Sequence, residues 1–466
     1  MTPGWKSCEV GWPWMHKQER QQSREMSGGG KSAFRLTTVT AVVIANMVGT
    51  GVFTSLGFQL LEIQSGFALL ALWAVGGVAA LCGAMTYAEL GAALPRSGGE
   101  YNFLSRIYHP SAGFVSGWIS ATIGFAGPSA LAAMTFAAYA TSVLDADAWP
   151  WLRPALAAGL VILLGLVHAS NHRNSGRTQL VFTILKVGII VVFCVAALAL
   201  AGEPSQLGFR PASGDGGRLF SAEFAVALIY VSYAYTGWNV ATYLSSELEN
   251  PQRTLPVILF SGTLVVMLLY LALNFVFLSV APIDAMRGQV EVGYIAARAA
   301  FGEAGGNFTG LVLATLLIST VSAMTLAGPR VLQVLGEDFR ALSLLARTNR
   351  DGIPAIAIYT QTTLAVIFVL TSSFESVLVF AGFTLALNSF VTVLGVFVLR
   401  WRQPDLPRPY RTFGYPLTPL LYLLLTGWAI GFVLVSKPAE GLFGLGLIAA
   451  GLAFYFVFAR INRASS

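Results

Sequence analysis

The stretch that decides the fold reads ANMVGTGVFTSLG and runs from Ala45 to Gly57. It lies inside an apolar run long enough to cross a bilayer, which takes about 20 residues. The triplet Gly49-Thr50-Gly51 is a poor helix interior, because glycine costs roughly 1 kcal/mol per residue relative to alanine. The stretch therefore predicts a membrane helix that is interrupted near its middle. Close helix packing remains an alternative explanation of the two glycines taken alone.

The composition of the whole chain is typical of a polytopic membrane protein. Of its 466 residues, 55% are hydrophobic and only 11% are charged, whereas soluble domains carry about 25% charged residues. The net charge of +6 does not indicate nucleic-acid binding, because basic residues of membrane proteins collect in cytoplasmic loops. We find no motif for ATP or a redox cofactor, so we expect no enzyme, no cofactor and no metal site.

Residues 1–35 are polar and basic and contain no apolar core of the signal-peptide type. We predict that they form a disordered cytoplasmic tail, followed by a transporter domain over residues 36–462. The segment SGGGKS in this tail lacks the spacing of a phosphate-binding loop. Met26 is an alternative start to Met1, because nothing upstream of it has a structural pattern.

Twelve apolar segments are long enough to cross a membrane, which predicts an all-α membrane protein with twelve transmembrane helices. The third and the sixth are long enough to include a break. The segments are 37–62, 67–93, 112–143, 154–171, 178–201, 219–247, 256–281, 307–336, 354–372, 374–399, 417–436 and 441–460.

An even number of spans places both termini on the same side of the membrane. Of the 28 Lys and Arg residues, 21 fall in the segments assigned to that side and 6 in those assigned to the other. This bias predicts a multi-pass plasma-membrane protein with both termini in the cytoplasm. The one remaining basic residue is Lys186, in the middle of the fifth span.

The sixth span contains a second weak helical stretch, Tyr235-Thr236-Gly237-Trp238. The first and sixth spans are the opening spans of two units of five helices, over 37–201 and 219–399, with the last two helices over 417–460. A repeated unit of five spans inserts in opposite orientations, which predicts a 5+5 inverted repeat. Glycine-interrupted spans at corresponding positions of two halves indicate the binding site of a transporter.

Both interruptions are predicted to lie near the centre of the membrane. Thr37 to Gly49 covers about 18 Å of helix, and Glu247 back to Thr236 covers about 17 Å. Broken backbone at that depth is tolerated only where it lines a cavity or is buried in protein. Its free amides at a helix N-terminus suit a carboxylate, and its carbonyls at a helix C-terminus suit an ammonium group.

Lys186 lies about 14 Å into the membrane when counted from Arg177. A lysine side chain is too short to reach the interface from there, so its charge should face the interior of the bundle and contact polar groups. We predict a functional role, either as a fixed cation or as a proton carrier. A structural counter-charge that holds helices together is the alternative.

Five motifs in order resemble the L-type amino acid transporter branch of the amino acid–polyamine–organocation superfamily. They cover most of the chain, and one glycine triplet alone would be weak evidence. They are MVGTGVF (47–53), YAELGAALPRSGGEYNFL (87–104), SYAYTGWN (232–239), SSELENPQRTLP (245–256) and LAGPRVLQVLGED (326–338).

The resemblance implies a substrate site at the two helix breaks. Backbone amides around Thr50 and Gly51 would hold the substrate carboxylate, and backbone carbonyls of both breaks would hold its amino group. The full set of substrate-binding residues predicted in this way is Met47, Val48, Gly49, Thr50, Gly51, Tyr233, Ala234, Thr236 and Gly237.

The resemblance also implies roles for side chains around that site. Tyr233 occupies the position of an aromatic gate, where phenylalanine is more typical, and Trp238 matches a tryptophan of the L-type branch that we assign to the gate. An apolar anchor against lipid is the alternative for Trp238. Lys186 matches a lysine that stands where sodium-driven relatives bind sodium. Ser319 and Ser322 lie near the hydroxyl ligands of such relatives, although helix packing explains them equally.

One departure from the animal L-type transporters concerns an accessory subunit. Those transporters carry an external cysteine after the third span, whereas this loop reads SVLDADAWPWLR (142–153). We therefore expect no disulfide-linked accessory subunit, and a prokaryotic inner-membrane permease. The three cysteines of the chain, Cys8, Cys82 and Cys194, also predict no structural disulfide.

The sequence predicts a secondary active transporter of L-amino acids that works by alternating access. Lys186 indicates sodium-independent exchange or facilitated uptake. Glu89 and Glu247 lie toward the inner helix ends rather than at midplane depth, which favours neutral substrates. The alternatives are a proton-coupled symporter, a cationic amino-acid or polyamine exchanger, and a nutrient receptor or channel.

Overall fold

The computed structural model describes residues 36–96, 98–142, 149–170, 175–200, 208–243, 245, 248 and 250–464. Its described residues are helices and the turns that join them, with no β-strand among them. The predicted tail over residues 1–35 lies outside the described residues, as does Glu247.

Eighteen α-helices make up the described chain, together with one π-helical segment, Ser120–Gly124, and one 3₁₀ turn, Arg340–Leu342. The α-helices are α1 (Leu36–Met47), α2 (Gly51–Gln59), α3 (Gly66–Ala93), α4 (Gly99–Ile107), α5 (Pro110–Ile119), α6 (Phe125–Ala140), α7 (Leu152–Ser170), α8 (Ser175–Leu200), α9 (Asp215–Arg218), α10 (Ala222–Ala234), α11 (Val240–Tyr243), α12 (Pro251–Val280), α13 (Ile283–Met286), α14 (Val292–Asp338), α15 (Ala355–Thr371), α16 (Phe374–Arg402), α17 (Leu417–Ser436) and α18 (Pro438–Ala464).

These helices follow the apolar segments of the sequence closely. Within the described chain, ten helical segments are long and apolar enough to cross a membrane. The sixth and ninth predicted segments contain the shorter apolar helices α10 and α15. Helices dominate because a backbone in lipid must satisfy its hydrogen bonds within its own segment. The protein is therefore a multi-pass helical membrane protein.

The chain leaves helical geometry at both predicted breaks. Helix α1 ends at Met47 and α2 begins at Gly51, so Val48 to Thr50 form a bend within the first span. Helix α10 ends at Ala234 and α11 begins at Val240. Gly237 lies between them with a φ of 106°, in the left-handed region that favours glycine. The sequence prediction of two interrupted helices is confirmed at this local level.

Two further spans depart from regular geometry. The third is α5 and α6 joined by the π-helical segment, and Pro128 lies inside α6. Proline removes one backbone donor and so explains a local irregularity here. Helix α14 changes direction at Gly302, where the backbone is not helical. The predicted eighth span, 307–336, is the part of α14 that follows this kink.

The packing of the helices places the two breaks against each other. Helix α14 packs along α6, α12 packs along α3, and α10 contacts α2, α3, α16 and α17. Helix α10 is buried along most of its length, so its end at Ala234 lies inside the protein. The two breaks therefore contain both buried and half-buried residues and pack against neighbouring helices, as membrane-buried irregular backbone requires.

Candidate functional site

The two breaks make direct backbone contact through their glycines. A Cβ atom on Gly51 would lie 2.5 Å from the Cα of Ala234, which leaves no room for a side chain. A Cβ atom on Gly237 would lie 2.9 Å from the carbonyl carbon of Asn46. Glycine is therefore required at Gly51 for α2 to approach α10, and at Gly237 for the second break to approach the end of α1. These two contacts bring the predicted substrate-binding residues of the two breaks together.

The C-terminal ends of α1 and α10 converge on one hydroxyl group. The hydroxyl of Tyr270, on α12, lies within hydrogen-bond distance of the carbonyl oxygens of Met47 and Ala234. Both carbonyls lack the amide partner of a continuing helix because the helices end there, and each carries the partial negative charge of a helix C-terminus. The Met47 carbonyl also accepts a hydrogen bond from the Gly49 amide at 2.7 Å. Tyr270 therefore occupies the position where a substrate ammonium group would find two acceptors.

The N-terminal end of α2 supplies the donors of the same site. The first amides of a helix have no partner inside it, and α2 begins at Gly51, directly after the bend. Thr50 accepts a hydrogen bond from the Phe53 amide at 3.0 Å through its backbone carbonyl. The Tyr233 hydroxyl lies beside the Thr50 side chain. Donors and acceptors therefore lie at opposite sides of one bend, as a zwitterion requires.

The other two predicted carbonyls are bound by groups of the protein itself. The carbonyl of Tyr233 accepts hydrogen bonds from the amide and the hydroxyl of Thr236, at 3.0 and 2.6 Å. The carbonyl of Val48 accepts one from Lys186 at 3.4 Å. In this conformation, internal donors satisfy the carbonyls that were predicted to hold the substrate amino group. A substrate would have to compete with them.

Lys186 is buried between the first break and α14. It is 5% exposed, and its ammonium donates to the hydroxyl of Thr320 at 2.9 Å as well as to the Val48 carbonyl. An ammonium group in the membrane interior is stabilised by such contacts. Lys186 therefore ties the bend in the first span to the middle of α14.

The hydroxyl partner of Lys186 is a residue that the sequence reasoning missed. Thr320 lies next to the predicted Ser319, which is buried. The predicted Ser322 instead forms a hydrogen bond with His168 of α7 at 2.8 Å, so its hydroxyl is directed to α7 rather than to Lys186. Each residue turns a helix by about 100°, so adjacent hydroxyls face different neighbours.

Tyr270 was also missed, although the sequence carried a signal for it. The seventh span is otherwise apolar around two polar side chains, Tyr270 and Asn274, four residues apart. Residues at this spacing share a helix face. Both are fully buried, and Asn274 donates to the backbone carbonyl of Tyr270 at 2.8 Å. Buried polar groups on one face of a membrane helix indicate a functional contact.

A small cavity lies between the first break, the third span and α14. It is lined by Val48, Gly49, Phe53, Tyr139, Lys186, Leu313, Leu316, Leu317 and Thr320. Its volume of about 10 Å³ is roughly the room that one water molecule needs. In the conformation described, this space is too small for an amino acid.

The aromatic residues assigned to the gate are both buried. Tyr233 is 5% exposed, and its Cβ lies near Gly382 of α16. Trp238 is 6% exposed and packs edge to face on Tyr87, with ring centroids 4.5 Å apart. The burial of Trp238 against α3 excludes the alternative of an apolar anchor against lipid in this conformation.

Glu89, near the C-terminal end of α3, is fully engaged by other residues. Its carboxylate accepts two hydrogen bonds from Arg400 at 2.8 and 2.7 Å, and two from Thr412, both at 2.7 Å. Paired Arg–carboxylate contacts of this kind are strong and specific. The charge of Glu89 is therefore compensated away from the two breaks.

The described cysteines, Cys82 and Cys194, are both free thiols. Cys82 is half-buried and Cys194 is buried. Cys8 belongs to the undescribed tail.

Comparisons with known proteins match nearly the whole chain. A sequence profile described as "Amino acid permease" matches residues 34–458. The chain is 30% identical over 462 residues to the large neutral amino acids transporter small subunit 2 of Rattus norvegicus, covering 94% of this chain and 83% of that protein. It is 26% identical over 426 residues to the b(0,+)-type amino acid transporter 1 of Mus musculus, covering 90% and 86%. It is also 27% identical over 448 residues to the Asc-type amino acid transporter 1 of Mus musculus, covering 92% and 81%.

The first of these names corrects one expectation from the sequence. A chain called a small subunit is one part of a larger assembly. The expectation that a disulfide-linked accessory subunit is absent is therefore wrong. It rested on one missing external cysteine, whereas association between subunits depends on the whole buried contact surface.

Proposed function

The chain belongs to the amino acid permease family, in its L-type amino acid transporter branch, and from this premise we propose how it binds and moves its substrate. It is an amino acid transporter and not an enzyme. We propose that the substrate is an L-amino acid held at the two helix breaks. Its carboxylate binds the amides at the start of α2, around Thr50 and Gly51. Its amino group binds the carbonyls of Met47 and Ala234.

The observation that carries this proposal is the convergence of three helix ends. The C-termini of α1 and α10 lie within reach of the single hydroxyl of Tyr270. The N-terminus of α2 begins three residues after α1 ends and contacts Ala234 directly. Two partially negative ends and one partially positive end match the two opposite charges of a zwitterion.

We propose that the twelve predicted segments all cross the membrane and form a 5+5 inverted repeat followed by two further helices. The breaks in the first and sixth spans support this arrangement, because they occupy corresponding positions in the two units. The bias of basic residues supports cytoplasmic placement of both termini. A prokaryotic inner membrane stays a prediction of the sequence.

We propose that the substrate is neutral. Among the described residues that line the cavity beside the first break, Lys186 is the one charged group. A cationic side chain would be repelled there, and Glu89 is already paired with Arg400. Lys186 matches a lysine that stands where sodium-driven relatives bind sodium, so we propose that its ammonium group takes the place of a sodium ion. Its contacts support transport that is independent of sodium, as exchange or facilitated uptake.

Alternating access would follow from the mobility of the half-helices around this site. In the conformation described, the space beside Gly49 has room for about one water molecule. Admission of a substrate therefore requires one group of helices to move against the other, as in other transporters built around broken helices. Tyr233 and Trp238, both buried between helices, would open and close the site.

The test is uptake of labelled amino acids into proteoliposomes that contain the purified protein. We expect saturable uptake of neutral L-amino acids that is unaffected by replacing sodium with choline, and that accelerates when the vesicles contain unlabelled substrate. Uptake that requires sodium, or uptake without counterflow and without saturation, would contradict the proposal. The second of these results would identify a channel.

Proton-coupled symport is the alternative that Lys186 itself raises. Its amine is buried and donates hydrogen bonds to one hydroxyl and one carbonyl. Both groups can accept a hydrogen bond from the charged and from the neutral amine, so these contacts allow the lysine to gain and lose a proton. A pH gradient, acidic outside, would accelerate uptake into vesicles without internal substrate if protons are carried. Exchange predicts no such acceleration, so this single comparison separates the two mechanisms.

A further inference from the structure

Glu100 is a buried carboxylate at the start of α4, which follows α3, and it is not among the predicted substrate-binding residues. It is 1% exposed. It accepts hydrogen bonds from Tyr87 of α3 at 3.1 Å, from Asn239 and from Tyr243. A buried carboxylate without such donors would be strongly unfavourable. The three donors therefore fix the position of this side chain.

The two glycines before Glu100 make this contact sterically possible. Gly98 and Gly99 have φ values of 121° and 53°, both in the left-handed region. A Cβ atom on Gly99 would lie 2.7 Å from the ring of Tyr243. The two glycines therefore let Tyr243 of the sixth span pack against the backbone before α4. This packing places the Glu100 carboxylate next to the Tyr243 hydroxyl.

Helix α4 is fastened to the third and eighth spans. A Cβ atom on Gly113 of α5 would lie 2.6 Å from the carbonyl oxygen of Tyr101, and one on Gly117 would lie 3.0 Å from its ring. The hydroxyl of Tyr101 donates to Asp338 at the end of α14. Tyr101 therefore binds α4 to a group of helices that includes α5 and α14.

Helix α11 packs in a different group. Besides α4, which it meets at Glu100, it contacts α1, α3 and α12, and Tyr243 is its last residue. The bonds from Asn239 and Tyr243 to Glu100 thus cross from this group to the one that holds α4. Glu100 and Tyr101 are adjacent in sequence, yet one faces the half-helix of the sixth span and the other faces the third and eighth spans.

We propose that Glu100 is a positioning residue that latches the inner half of the sixth span to α4. The inference rests on the proposed function, because a transporter must open toward each side in turn. While the latch is closed, α11 is held against α4 and the path on that side is shut. When α11 moves away, water replaces Asn239 and Tyr243 as donors to the carboxylate, so the open state retains a solvated charge.

The test measures access to a cysteine on α11. Ala241 is 0% exposed on this helix, so Ala241→Cys, in a variant whose native cysteines are replaced, reports when the helix leaves its site. A membrane-impermeant maleimide is applied to the side on which α4 lies. We expect Glu100→Gln to accelerate labelling about tenfold, because a neutral amide loses the charge-assisted bonds that hold the closed state.

The matched control is Tyr101→Phe. It removes the hydrogen bond from Tyr101 to the Asp338 carboxylate, which joins α4 to α14 and does not involve α11. We expect it to leave the labelling rate unchanged. The double variant of Glu100→Gln with Tyr243→Phe should label no faster than Glu100→Gln alone, because both changes open the same latch. If Glu100→Gln does not reach the membrane, Tyr243→Phe by itself carries the same expectation of faster labelling.

Labelling of Glu100→Gln at the parent rate would overturn the proposal, and so would equal acceleration by Tyr101→Phe. A second readout is the apparent KM measured separately from each side of the membrane. The latch predicts that Glu100→Gln changes the KM on the α4 side relative to the other, which general loss of structure would not do. Failure of the unaltered protein to take up amino acids would refute the proposed function and leave the labelling comparison intact.

Discussion

Replacing Gly51 with alanine should separate the two half-helices that meet at the centre of this protein. The added Cβ atom would lie 2.5 Å from the Cα and 2.6 Å from the Cβ of Ala234. Ordinary carbon–carbon contacts are about 3.5–4.0 Å, so α2 and α10 would have to move apart by about 1 Å. No side-chain rotation relieves the clash, because one of the atoms belongs to the backbone.

The expected cost of this movement is that of an overpacked core. Such substitutions typically destabilise a protein by about 1–3 kcal/mol. Alanine would normally regain up to about 1 kcal/mol through its better helix propensity. Gly51 is the first residue of α2, so little of that gain applies. We expect a lower melting temperature and a loss of most transport, since the two halves of the substrate site no longer meet.

Gly49→Ala is the matched control in the same triplet. A Cβ atom there would have its nearest neighbour, the Met47 carbonyl oxygen, at 3.9 Å, which is an ordinary contact. We therefore expect the melting temperature to stay at the parent value. Because Gly49 lines the small cavity, the new methyl group should raise the KM for the substrate.

The two variants are compared by thermal unfolding in detergent and by uptake into proteoliposomes. Normal stability and normal uptake for Gly51→Ala would refute the close contact of α2 with α10. Equal loss of stability in both variants would show that the triplet is sensitive to any side chain. The specific steric argument would then fail.

Three further predictions concern polar contacts around the site. Lys186→Ala should lower uptake at least about tenfold without changing membrane insertion, since it removes a charge-assisted bond, and Thr320→Val should lower it less; unaltered kinetics would exclude the lysine from the mechanism. Tyr270→Phe should lower the melting temperature, because it leaves the buried Ala234 carbonyl without its hydroxyl donor, a loss of about 1–3 kcal/mol; an unchanged melting curve would contradict this. Glu89→Gln should cost about 3 kcal/mol or more, because it leaves the charge of Arg400 without its partner; stable protein after extraction, equal to the parent in a melting experiment, would show that the ion pair contributes little.

Much of the fold could be predicted from the sequence because the membrane permits few structures. A lipid-buried backbone must form helices, so apolar length alone located helices such as α3 and α17 within a few residues. The breaks were equally predictable. Gly49-Thr50-Gly51 and Gly237 lower helix propensity in runs that otherwise favour helix, and the chain does leave helical geometry at both.

The site was predicted only as far as it depends on the backbone. The sequence indicates where each helix stops, and the carbonyls and amides left without helical partners are those at these positions. Tyr270 and Thr320 are different, because their roles depend on how α12 and α14 are rotated about their axes. A pattern of apolar residues that covers every face of a helix leaves this rotation undetermined.

The sequence by itself determined the membrane class, the helical segments and the two interruptions, because these follow from local hydropathy and backbone preference. Only the tertiary structure decided which side chains meet. It selected Thr320 rather than Ser319 or Ser322 as the partner of Lys186, placed one tyrosine hydroxyl between two helix ends, and directed Glu100 to the sixth span. Such contacts are set by the rotation and packing of whole helices, which depend on residues far apart in the chain.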